Sequence, residues 1–103
     1  MLGPQPLGHW SALSSPNCGK SYKHLVTGRV YVVLKEFVDF DGVLHRPGER
    51  WQFLGYAFLP YDDGLSLFVS LDNTHEWHIR MHCVPEGQAS IIEAFEQYVG
   101  NET

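Results

Sequence analysis

The chain has 103 residues, with 12 acidic and 7 basic side chains and a formal net charge of −5. That length suits one domain, and the negative balance repels a phosphate backbone, so nucleic acid is not an expected partner. No apolar run approaches the ~18–20 residues that cross a bilayer, so no membrane partner is expected. The opening "MLGPQPLGHWSALSS" has no Lys or Arg ahead of Lys20 and is broken by Pro4 and Pro6, which does not fit a signal peptide. Cys18 and Cys83 are too few for a disulfide scaffold and read as free thiols in a cytoplasmic protein.

Residues 1–20 are rich in Gly, Pro and Ser and lack any sustained period, so they are expected to form a flexible tail ahead of one small domain over 21–103. "SYKHLVTG" suggests a short helical turn ended by Gly28. "RVYVVLKEFVDF" is dense in β-branched and aromatic residues and predicts a strand with both faces apolar. "DFDG" ends it, and "HRPGE" supplies a Pro-Gly turn. "RWQFLGYAFL" predicts a second two-faced strand with a bulge or bend at Gly55. "LSLFVSL" and "EWHIRMHC" alternate and predict two further strands. The latter points Trp77, Ile79, Met81 and Cys83 inward and Glu76, His78, Arg80 and His82 outward. "PEGQASIIEAFEQYVG" then carries apolar residues at helical spacing, with Pro85 at its start and Gly100 at the C′ position.

The resulting fold class is α+β. An antiparallel meander of four to five strands is expected to curl into an SH3-like half-barrel, with one C-terminal helix closing an open face or end; a flatter sheet with the helix laid across it is the alternative. Trp51, Phe53, Leu65, Leu67, Trp77, Ile79, Ile91 and Phe95 form the expected core.

"VDFDGVL" imitates the nucleophile motif of haloacid dehalogenase phosphatases, with Asp39 as nucleophile and Asp41 as acid, and "YDDG" imitates their metal-binding pair. Asp41 and Asp63 lie only 22 positions apart, with no helical period between them, whereas a parallel crossover takes a dozen residues or more and is usually a helix. Asp41-Gly42 and Asp63-Gly64 therefore read as turns. A calcium loop from Asp39 fails because its twelfth position is Arg50. "CGKS" lacks the glycine and the preceding strand of a P-loop. His78 and His82 would share a zinc on a helix, but on a strand they stand about 13 Å apart and cannot. No catalytic residue, metal ligand or cofactor is assigned from these motifs. What remains as a candidate binding surface is the outward row Glu76, His78, Arg80 and His82, with Phe68 beside it on the neighbouring strand. Tyr31, Val33, Leu54, Tyr56, Phe58 and Phe68 exceed what one helix covers and suggest a homodimer or partner face.

The order F-x-D-x-D-G-x-x-H-x-x-G-E-x-W-x-F-L over Phe37 to Leu54, F-L-P-Y-D-D-G-L-S-L-F-V over Phe58 to Val69, W-x-I-R-M over Trp77 to Met81 and E-x-Q-x-x-I-I over Glu86 to Ile92 resembles a bacterial domain-of-unknown-function family, number 3601. The resemblance spans residues 24–99 and implies a stand-alone domain with no activity to transfer; His82-Cys83 and Gly87 stand out as departures. Together these readings favour a non-enzymatic binding module for a protein partner or small ligand, in its sharpest form an immunity- or antitoxin-like neutraliser of a basic partner. The alternative is a small metal-dependent hydrolase or metal-binding protein built from His45, Asp62, Asp63 and His78.

Overall fold

The computed structural model describes residues 1–12, 18–59 and 64–101. In chain order the strands are β1 (Leu2–Pro6), β2 (Cys18–Gly19), β3 (Ser21–Tyr22), β4 (Leu25–Val26), β5 (Val30–Val33), β6 (Phe37–Val38), β7 (Leu44–His45), β8 (Arg50–Leu59), β9 (Gly64–Ser70) and β10 (His75–His82). Two short helices, α1 (Ala89–Glu93) and α2 (Phe95–Tyr98), precede a last strand, β11 (Val99–Asn101). The main sheet is seven-stranded, with the path β1-β10-β9-β8-β5-β11 and β2 added to β8. All its pairs are antiparallel. Hairpins β3–β4 and β6–β7 form two separate two-stranded sheets.

The expected α+β half-barrel is therefore incorrect. Among the described residues the strand path ends at β1 and β11, which pair with β10 and β5 respectively and not with each other, so the sheet does not close. The protein is mainly sheet, with little helix. The single expected helix starts late because Gln88 is held back on the end of β10: its N–H donates to the His82 carbonyl at 2.8 Å, and its side-chain oxygen accepts from the His82 N–H at 2.8 Å. The helix then breaks at Ala94 (φ −109°, ψ 32°). Gly100 does not cap it but pairs with Val32 in β11, where a Cβ would meet Leu34 Cδ1 at 2.7 Å.

One face of the sheet holds the core. Leu65, Leu67 and Val69 of β9 stand opposite Met81, Ile79 and Trp77 of β10 and opposite Phe58, Tyr56 and Phe53 of β8. Strict alternation would put Phe53 and Tyr56 on opposite faces. A register shift at Leu54 places both on this one, so the bulge expected beside Gly55 gathers the aromatics. Leu25, Phe37, Ile92 and Phe95 close over this face from the hairpins and helices. Each fully buried large apolar side chain contributes about 1.5–3 kcal/mol. Trp77 and Ile91, expected to be buried, are only partly so and pack on the rim of the cluster.

The long strand expected over 29–38 is interrupted at Leu34–Glu36, where Leu34 and Lys35 donate their N–H groups to the Tyr98 carbonyl. The helical turn expected at Ser21–Gly28 is the β3–β4 hairpin. It is fixed by Tyr31, whose hydroxyl accepts from Val26 N–H and donates to the His24 carbonyl. Nor are the first residues a loose tail throughout, because β1 pairs with the edge of β10 from Leu2↔His78 to Pro6↔His75. Nothing in "LGPQP" has a strand period. Its extended form comes from the unpaired N–H and C=O groups of the β10 edge, which an extended segment satisfies.

Candidate functional site

The "VDFDGVL" motif folds into the β6–β7 hairpin, turning at Gly42 with φ +81°. Asp39 Oδ1 accepts from the N–H groups of Asp41 (2.9 Å) and Val43 (3.1 Å), so the residue first suspected as a nucleophile builds the turn. Its Oδ2 accepts from His45 Nε2 at 2.7 Å and from the Met1 α-amine at 2.9 Å. His45 Nδ1 lies 2.6 Å from Glu49 Oε2, which also accepts from the Trp51 indole N–H at 3.2 Å. Ionised carboxylates only accept, so both imidazole nitrogens must carry protons. Burial disfavours that cation, but the bonds to Glu49 and Asp39 outweigh it and raise the pKa of His45. For Asp39, burial acts to raise the pKa, and the bonds from His45, the α-amine and Val43 overcome it and lower it. The Asp39 and His45 side chains have no solvent-accessible surface. With both Asp39 oxygens, both His45 nitrogens and Glu49 Oε2 engaged, this Asp-His-Glu-Trp chain ties the hairpin together.

A second constellation lies on β10. Asp41 takes a two-point ion pair from Arg80 Nε and Nη2, and this bond first of all holds its pKa at about 2. Arg80 sits over the ring of Phe40, which is 54% exposed at the hairpin tip and also touches His82 edge-on. Glu76, expected to face solvent, is 0% exposed. The alternation placed it on the correct face, but the chain's own N-terminal segment covers that face. Glu76 Oε1 accepts from Gly8 N–H and Ser11 Oγ, both at 2.7 Å, and Oε2 accepts from the N–H groups of Trp10 (2.7 Å) and Ser11 (2.9 Å). Burial pushes against ionisation here too, yet these four donors lower the pKa of Glu76. Trp10 then lies against His78 at 5.3 Å between ring centres, and Phe68, its cross-strand neighbour, meets it edge-on at 5.2 Å. Among the described residues neither His78 ring nitrogen has a hydrogen-bond partner.

The row expected from sequence is thus present on one strand, but its members are divided. Glu76 and His78 lie beneath residues 8–11 and Phe68 packs against His78, while Arg80 and His82 flank the exposed Phe40. His45 and His78, grouped in the metal alternative, are committed to separate neighbours, and Asp62 and Asp63 lie outside the described residues. Among the described residues no group of three His, Cys, Asp or Glu side chains is arranged to hold a metal. No helix among them is long and apolar enough to cross a membrane. Of the six residues among which some were expected to remain exposed, Tyr31, Val33 and Phe68 are buried, and Leu54, Tyr56 and Phe58 are half-buried. A groove of about 300 Å³ on the side away from the core is lined by Val30, Gln52, Ser70, Leu71 and Asn73, with Arg50 and Trp51.

A family model described as a domain of unknown function, DUF3601, matches residues 16–101. A solved structure, an integron cassette protein from the mobile metagenome of Vibrio cholerae, is 32% identical and superposes with a TM-score of 0.75 over 79% of this chain and 89% of that one. No curated protein matches the chain.

Proposed function

This chain belongs to the DUF3601 family, and we propose that it is a non-enzymatic module that binds a polypeptide along β10. The observation behind this reading is the polypeptide already seated there. Residues 2–6 add a strand to the β10 edge, residues 8–11 wrap Glu76 with four donors, and Trp10 caps His78. This combines strand addition, in which main-chain bonds give affinity, with an aromatic anchor of the kind that dominates protein interfaces. The family model begins after this segment, at residue 16. A partner carrying an extended stretch, then a turn rich in N–H donors, then an aromatic side chain matches the same surface. Arg80, Phe40 and His82 extend the surface along the strand. The net charge of −5 favours a basic partner over an acidic one, and a neutraliser of such a partner is the sharpest form of the reading.

The test uses the full-length chain with Trp10→Ala and Ser11→Ala, which weakens the internal segment and leaves β10 untouched. A synthetic peptide of residues 1–12 should then bind in trans, and Glu76→Gln added to the same chain should weaken it at least tenfold. Absence of binding at millimolar peptide, the scale of the effective concentration it must replace, refutes the proposal.

A further inference from the structure

We infer that residues 1–11 form a proton-gated strap: uptake of a proton by His78 in mildly acidic solution releases them from β10 and opens the surface beneath. The inference rests on the proposed polypeptide site only for what the opened surface would bind.

The geometry carries it. A protonated imidazole has two N–H donors, and buried donors need acceptors. Trp10 and Phe68 pack their rings against His78, and both ring nitrogens lie buried without a partner among the described residues. The closed strap therefore accommodates only the neutral ring, which finds its two lost hydrogen bonds in water once Trp10 lifts away. The charged neighbours are mixed. Arg80, the next outward residue of β10, and the Met1 α-amine oppose protonation, while Asp41 and Glu76 favour it. Phe68 from β9 brings no charge, and the strap brings His9, edge-on to Trp10 at 4.8 Å. Burial first, and Arg80 second, hold the pKa of His78 at about 4, against 6.5 for an unperturbed side chain.

A base whose pKa is lowered in the closed state binds fewer protons there than when open. The closed strap thus has its full advantage above pH 6.5 and loses it as the pH falls toward 4. Between pH 7.5 and pH 5 the opening equilibrium should rise about 30-fold, from the separation of those two pKa values. Glu76 keeps its charge across this window because its pKa is lowered from 4.5, so its four-donor clamp does not titrate with His78.

Amide hydrogen exchange on the full chain tests this. Protection factors, corrected for intrinsic exchange, should fall about 30-fold from pH 7.5 to 5 at Gly8, Trp10 and Ser11, while the β8–β9 ladder stays unchanged. His78→Phe, which keeps an aromatic ring against Trp10 and Phe68, should abolish the pH response, and His9→Asn should keep it. A direct titration of the His78 ring by NMR in the unaltered chain should show a midpoint well below 6.5, independent of how any variant folds. Constant protection across the range, a response that survives His78→Phe, or an ordinary His78 midpoint each overturns the gate. Peptide binding to the strap-weakened chain with no pH response would overturn the gate alone. Strap release at pH 5 without any peptide binding would overturn the polypeptide site alone.

Discussion

Replacing His45 with Leu removes the centre of the hairpin tie and leaves the shape of the site roughly filled. Two short bonds vanish, 2.7 Å to Asp39 and 2.6 Å to Glu49. Asp39 retains the N–H groups of Asp41 and Val43 and the Met1 α-amine, but its carboxylate, inaccessible to solvent, loses its imidazolium. Breaking a buried charge pair from one side costs about 3–5 kcal/mol. Against a domain stability of about 5–15 kcal/mol, that is a large share, though it need not unfold the chain. With a urea slope of about 1.5 kcal/mol per molar, the unfolding midpoint should drop by about 2–3 M. A double-mutant cycle with Asp39→Asn isolates the pair, because the doubly altered chain no longer buries a carboxylate that has lost its imidazolium. The coupling should exceed about 1.5 kcal/mol. A His45→Leu loss below about 1 kcal/mol, or zero coupling, would show that the tie is not what fixes the hairpin and would reopen a chemical role for Asp39.

The two buried histidines predict a stability maximum with two differently caused limbs. His45, with its raised pKa, contributes fully below pH 6.5, and that contribution is lost as the pH climbs through its folded pKa. His78, with its pKa at about 4, contributes above pH 6.5 and loses that stability as the pH falls toward 4. Urea midpoints measured from pH 4 to 9 should show both limbs. His78→Phe should flatten only the acid one, and a single limb that ignores both residues would contradict the assignment. Phe95→Ala, at a site with 0% exposure, should cost about 3–5 kcal/mol by urea unfolding. Gly42→Ala should cost about 1 kcal/mol by the same assay, because φ is +81° and open space surrounds the missing Cβ.

Strand periods made β8, β9 and β10 legible, and the Asp41-Gly42 pair disclosed its turn. Three features were not legible, each for a physical reason. β1 has no strand pattern of its own because its conformation is set by the edge it completes. The apolar spacing from Ile91 to Val99 resembles one helix, yet Gln88 bonds back to His82 and Ala94 leaves the helical region. For Glu76, alternation gives a face but not what covers it; only tertiary structure brings Gly8, Trp10 and Ser11 onto its carboxylate. The buried tie was present in the quoted family string, since Asp39, His45, Glu49 and Trp51 all belong to it. Their contact follows from the hairpin register, Phe37↔His45, which residue spacing alone does not specify.

Chemical-shift mapping locates the binding surface most directly. Isotope-labelled full-length chain carrying Trp10→Ala and Ser11→Ala is titrated with unlabelled peptide of residues 1–12, and backbone amide shifts are followed by NMR. Shifts concentrated at residues 75–78 and at Phe68 are expected, because the β10 edge, Glu76 and His78 carry the proposed site. Shifts confined to the groove of Val30, Gln52, Ser70, Leu71 and Asn73, or no saturable shift at all, would contradict it.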